Sequence, residues 1–300
     1  MKPALALLGA AMATSCAAHA PLDLESRWDY AKPAESEVRF RAMLAGDAAL
    51  GASERLEVET QIARALGLQG RFDAAARVLD GVEAAGSRDA VVAARLHLER
   101  GRVLRSSGRA AESRPEFARA LAEAERAHHE FLAADAAHML AIVAPPEESV
   151  DAHRAAIARV EASADARTRR WLAPLHNNLG WAHHDRGEYA EALAAFEKAV
   201  PLFAARGDAE ELRIAHWAVA RAQRSLGRCD EALAAQRRLL ADYAASQDDG
   251  FVHEEIAECL LALGRGAEAK PHFSAAHRLL SQDAALVRGA PERLARLATE

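Results

Sequence analysis

His176-Asn177-Asn178-Leu179-Gly180-Trp181-Ala182-His183, then Gly187-Glu188-Tyr189, then Ala192, Phe196 and Ala199, is the stretch whose reading decides the fold. Gly187 punctuates two segments of helical periodicity, so the stretch reads as two antiparallel helices with a tight turn between them. Gly180 lets the two helices approach closely, and Phe196 fills the space left beside them.

The same frame, anchored on a turn glycine, recurs along the chain. Gly70 has Ile62-Ala63 before it and Ala75, Leu79 and Val82 after it. Gly108 has Gly101 before it and Ser113, Phe117 and Ala120 after it. Gly227 has Val219-Ala220, then Ala232, Gln236 and Leu239, and Gly264 has Ile256-Ala257, then Ala269, Phe273 and Ala276. The spacings between successive anchors are 38, 79, 40 and 37 residues, and the doubled interval predicts a further, degenerate repeat. Its helices are expected over Phe131 to Ala144 and Glu148 to Ala162, with Pro145-Pro146 in place of the turn glycine, because proline can begin a helix but cannot continue one.

The Leu179-Gly180 pair, the turn glycine, and the Ala192, Phe196, Ala199 series resemble the tetratricopeptide motif, with His176 and His183 where that family favours Trp and Tyr. A period near 39 residues is similar to the longer-repeat members, such as kinesin light chains and some bacterial peptide-sensing regulators. The resemblance implies an all-α, right-handed solenoid of about six helix-turn-helix repeats over residues 54–282. One pair cannot bury its apolar face alone, so the array must stack and be capped. Residues 21–53 are read as the N-terminal cap, a helix from Ala34 to Leu44 anchored by Trp28 and Tyr30. Residues 283–300 are read as the C-terminal cap, a short helix opened by Pro291 and running through Ala298.

Composition agrees with a helical array. The chain is 51% hydrophobic but only 5% aromatic, with 10 Pro among 300 residues, which suits Ala- and Leu-rich helices. A net charge of −6 and a pI near 6.1 give no basic footprint for nucleic acid. Residues 1–20 have one lysine before a short apolar run and end in small residues, the layout of a signal peptide, and the run is too short to span a membrane. Export to the periplasm is therefore expected, with cleavage after Ala18. Ala13-Thr14-Ser15-Cys16 resembles a bacterial lipobox without its usual Leu and offers lipid anchoring at Cys16, while a misassigned start and a cytoplasmic chain is the alternative. Cys229 and Cys259 lie in consecutive repeats and read as two unpaired thiols, with pairing in an oxidising compartment left open.

Signals for chemistry are weak. Gly264-Arg265-Gly266-Ala267-Glu268-Ala269 formally fits a dinucleotide fingerprint, but a helix precedes it where that motif needs a strand. His128-His129-Glu130 and His183-His184-Asp185 are adjacent residues, which point about 100° apart on a helix, so no metal site is expected. No catalytic residue and no cofactor is expected either.

Binding is better supported. In tetratricopeptide arrays the first helix of each pair lines the concave surface, so the residue six before each turn glycine should face a ligand. These are Arg64, Arg102, Trp181, Arg221 and Glu258, and one helical turn on lie Arg105, His184 and Arg224. The arginines would select carboxylates of an acidic segment; a solvated helix face is the alternative reading. Asn177 and Asn178 resemble the asparagines of peptide-binding long-repeat members, whose amides pair with a peptide backbone, although a role between helices fits equally. An apolar surface around Trp181 and Trp217 is the other candidate. The reading is a non-catalytic scaffold for a protein or peptide, with a peptide-sensing regulator as runner-up and an enzyme built from dispersed residues as a third.

Overall fold

The computed structural model describes residues 22–46, 49–243 and 249–300. Among these there is no β-strand. Six helix pairs follow one another: α2 (Ala52–Leu68) with α3 (Phe72–Ala84), α4 (Ala90–Ser106) with α5 (Ala110–Arg126), and α6 (Glu130–Ile142) with α7 (Pro146–Glu161). Next come α9 (Leu172–Asp185) with α10 (Tyr189–Arg206), α11 (Ala209–Ser225) with α12 (Cys229–Tyr243), and α13 (Gly250–Ala262) with α14 (Gly266–Leu280). Helix α1 (Pro33–Gly46) precedes the first pair, a single turn α8 (Ala166–Arg169) precedes the fourth, and α15 (Ala284–Gly289) and α16 (Pro291–Thr299) follow the last.

The anchor glycines act as the frame requires. Gly70, Gly108, Gly187, Gly227 and Gly264 all adopt left-handed backbone, with φ between 72° and 86°. In each case the next residue's N–H reaches the carbonyl five residues back, as from Arg71 to Leu66 at 2.9 Å and Arg265 to Leu260 at 2.8 Å. This closes the helix end and turns the chain at once. The third pair lacks the glycine: Pro145 is extended and Pro146 opens α7 as its first residue. His128 uses the same left-handed closure between α5 and α6 at φ 51°, the one non-glycine among the described residues to do so.

The core follows from a second spacing. Sixteen residues after each small residue of the first helix stands the residue of the second helix that packs on it. Phe117, Phe196 and Phe273 are fully buried in this role. A Cβ on Gly101 or Gly180 would come within 3.0 Å of the Phe117 or Phe196 ring, so glycine is required there by close approach. In the third repeat the pair is Ala137 and His153, whose ring is buried and bonds the Ser149 carbonyl through Nδ1 at 2.8 Å.

Both ends are covered. Leu294 and Leu297 of α16 join the last hydrophobic cluster, and Phe40 of α1 joins the first. Trp28 packs against Phe40 and donates its indole N–H to Gln61 at 3.0 Å. Tyr30, expected to be a second anchor, is half exposed and stacks on Trp28. The leader, including Ala18 and Cys16, lies outside the described residues. Cys229 and Cys259 are both free thiols, and burial pushes Cys259 up to about 12. No helix among the described residues is long and apolar enough to cross a membrane.

Candidate functional site

The first helices share an inward face. Tyr30 and Arg64 beside the first pair, Phe131 and Asp135 of the third, and Trp171 and Pro174 of the fourth border a single cavity, which only a curved array permits.

On this face the residue six before a turn does not stand free, as had been expected of the arginines. In the first, second, third and fifth repeats it pairs with the residue nine before the next turn, on the following first helix, whereas in the fourth these places hold Trp181 and Ala218. Arg64 approaches Glu99 at 3.7 Å, Arg102 pairs with Asp135, and Arg221 pairs with Glu255. In the third repeat His138 holds the same place and accepts the Asn178 amide at 2.9 Å. At the end of the array Glu258 pairs with Arg296 of α16, so the cap continues the ladder. Arg102 also bonds Glu99 at 2.6 Å, and Arg224 joins Glu255 at 2.7 Å.

These pairs are buried enough to matter. Glu99, Asp135 and Glu255 are 1%, 2% and 1% exposed. Burial alone would raise the Asp135 carboxyl, but the Arg102 guanidinium beside it holds it below the usual carboxylate range. Burial pulls His138 down to about 4 against the opposing pull of Asp135. The ring is therefore neutral near pH 7 and, since Nε2 accepts from Asn178, its proton belongs on Nδ1. Arg102, which the sequence places on the ligand-facing surface, is bonded to Glu99 and Asp135 and links the second repeat to the third.

Other candidates divide. Arg105 is exposed and has no ion pair among the described residues. Asn178 is spent on His138, whereas Asn177 turns towards a second cavity with Phe203, Arg206 and Ile214, and its side-chain oxygen is buried without a partner. Trp181 and Trp217 lie 5.8 Å apart, with Arg221 over both rings at 6.0 and 5.6 Å. His184 sits edge-on to Trp181 and bonds Ser225 at 3.0 Å, and burial first, then Arg221, lowers its pKa. His183 bonds Glu188 at 2.5 Å, away from any metal-binding grouping; among the described residues no cluster of three His, Cys, Asp or Glu is placed to hold a metal ion.

The cavity adds residues that the frame passed over. It has a volume of about 530 Å³ and includes Arg167, Arg170 and Arg206 with Arg64. The run Arg167-Thr168-Arg169-Arg170-Trp171 lies between two repeats, where the periodic frame assigns no helix face.

The fold and this face define a class: a helix-pair solenoid whose first helices form an open, polar and aromatic inner surface. A tetratricopeptide repeat family model matches residues 171–245, and the whole array has the architecture of tetratricopeptide solenoids. The apo form of RapI superposes with a TM-score of 0.67 at 10% identity, over 87% of this chain and 74% of that one. A signal transduction ATPase with a tetratricopeptide repeat sensor from Pyrococcus horikoshii gives 0.68 at 11% identity, over 87% of this chain and 41% of its own. NprR in complex with its cognate peptide NprX gives 0.56 at 14% identity, over 90% and 79%. At these identities the likeness is one of fold. No curated protein matches the chain.

Proposed function

We propose that the chain is a non-catalytic scaffold whose inner face holds an extended peptide or a segment of a partner protein. The observation that carries this is the aromatic and charged surface left uncovered once all repeats have packed. Trp181 and Trp217 stay only partly buried on it, bridged by Arg221. Partly exposed tryptophan beside arginine is the composition of a binding hot spot. The likeness to a solenoid solved with its cognate peptide supports the same reading.

Acidic segments are the favoured ligands, recognised by those arginines that the ladder leaves unpaired and not by Arg102. A second reading, a peptide-sensing regulator, is favoured by the ladder itself, because a ligand touching two repeats would alter pairs that set their relative pitch. We further place the mature chain outside the cytoplasm, beginning at His19 or at a lipidated Cys16. Mass spectrometry of the native N-terminus tests this, and an intact leader in the cytosol would reject it.

The binding proposal is tested by selecting ligands for the full chain from a displayed random-peptide library. Selected peptides should lose about tenfold or more in affinity to Trp181→Ala or Trp217→Ala, about 1.4 kcal/mol. Binders indifferent to both substitutions would overturn it.

A further inference from the structure

The cavity between α2, α6 and α9 is lined by four arginines, and the solenoid neutralises them unequally. Arg206 pairs with Asp208, and Arg64 lies near Glu99. Asp135, the one acid that the helix pairs contribute to the lining, is committed to Arg102. Arg167 has a single ion pair among the described residues, at 3.3 Å, and it is with Glu25. The Arg170 guanidinium has none, although its carbonyl accepts from Arg206 at 2.8 Å.

Glu25 does not belong to the repeats. It sits in the 3-10 turn Glu25–Arg27 of the segment that precedes α1, together with Asp23, the other acid in the lining. Leu24, between them, is buried in the first hydrophobic cluster and fixes the segment against the first repeat. Glu25 thus reaches from the first repeat across the inner face to α8 at the fourth. Aromatic walls complete the cavity: Arg167 lies over the Phe131 ring at 4.0 Å, and Tyr30 and Trp171 stand at its border. Without residues 23–25 the site would be a cationic, aromatic-walled hollow at the centre of the groove, and such a site selects carboxylates by charge-assisted hydrogen bonds.

We propose that this cavity is a carboxylate-binding pocket of the groove, that Glu25 occupies it in the free protein as a built-in substitute ligand, and that an acidic peptide binds by displacing it. The inference rests on the groove being a peptide-binding surface. It adds the ligand's chemistry, the residues that read it (Arg167 and Arg170), and competition from the chain's own N-terminal segment.

The probe is the peptide acetyl-Asp-Leu-Glu-amide, which copies residues 23–25, titrated calorimetrically into the full chain. The double variant Asp23→Asn, Glu25→Gln should bind it at least tenfold more tightly than the parent chain. Adding Arg167→Gln and Arg170→Gln should abolish that gain, and acetyl-Asn-Leu-Gln-amide should not bind. Circular dichroism of each variant checks folding; Asp23, Arg167 and Arg170 are exposed and Glu25 partly so, and the helical signal should not change. Equal affinity for parent and double variant, or binding that ignores the two arginine substitutions, would overturn the pocket. Library-selected peptides that still depend on Trp181 but not on these four residues would leave the groove standing and reject the pocket alone.

Discussion

Replacing Gly180 by alanine isolates the contact that sets the helix-pair geometry. The new Cβ would fall within 3.0 Å of the Phe196 ring, which is fully buried. Overpacking of this kind costs about 1–3 kcal/mol, while removing a mid-helix glycine returns about 0.5–1 kcal/mol. The net effect should be destabilisation of up to about 2.5 kcal/mol, opposite in sign to the control. Gly81→Ala supplies the control, since Gly81 lies inside α3 with nothing within 4 Å of its added Cβ. The same chemical change should there stabilise by about 0.5–1 kcal/mol. Urea titrations followed by circular dichroism measure both, and Gly180→Ala should also broaden the transition, because the lesion divides a nearest-neighbour array. Phe196→Leu should be less harmful in the Gly180→Ala background than in the parent chain, because it makes room for the methyl group. If Gly180→Ala stabilises as Gly81→Ala does, the close-approach argument is refuted.

Glu255→Gln leaves Arg221 and Arg224 without their shared acid and should destabilise towards the low end of the about 3–5 kcal/mol known for broken buried pairs, since both arginines keep about a quarter of their exposure. Glu112→Gln, which breaks a fully exposed pair with Arg109, should leave the urea midpoint unchanged in the same denaturation assay, because solvent screens such a pair. His128→Gly relieves a left-handed histidine and should stabilise by about 1 kcal/mol, read as a higher urea midpoint with unchanged slope. Stability should also fall as pH drops from 6.5 towards 4, because the unfolded chain protonates His138 while the folded chain, with that pKa near 4, does not. His138→Gln should flatten this slope in pH-dependent melts. Asp135 acts in a lower window: its depressed pKa contributes stability above about pH 4 that is lost as pH falls through the lowered folded value.

The repeats were legible because their signals are local. A turn glycine must take positive φ, and a small residue must face the large one sixteen positions on; both constraints recur within one helix pair. The doubled interval located the third repeat, and Pro145-Pro146 supplied its turn. The pairing of the groove arginines was not legible from single helices. Projecting Arg102 onto a helix face makes it look solvated, yet its partner Asp135 lies 33 residues away on the next first helix. The clue was nevertheless present. The residues nine before the turns are Gln61, Glu99, Asp135, Asn178, Ala218 and Glu255, counting Ala144 as the third turn. A column so rich in acids and amides beside a column rich in arginine reads as a ladder once neighbouring repeats are placed side by side. Arg167 and Arg170 escaped for a different reason: α8 is an insertion between repeats, and a periodic frame assigns it no face. The spanning position of Glu25 depends on the curvature of the array, which no local spacing reports.

The most direct test of the binding surface is hydrogen exchange of the full chain with and without a library-selected peptide. Added protection should concentrate on the first helices α4, α6, α9 and α11, with α3, α5, α10 and α12 unchanged. Protection confined to the second helices, or spread evenly over both, would contradict a ligand held on the inner face.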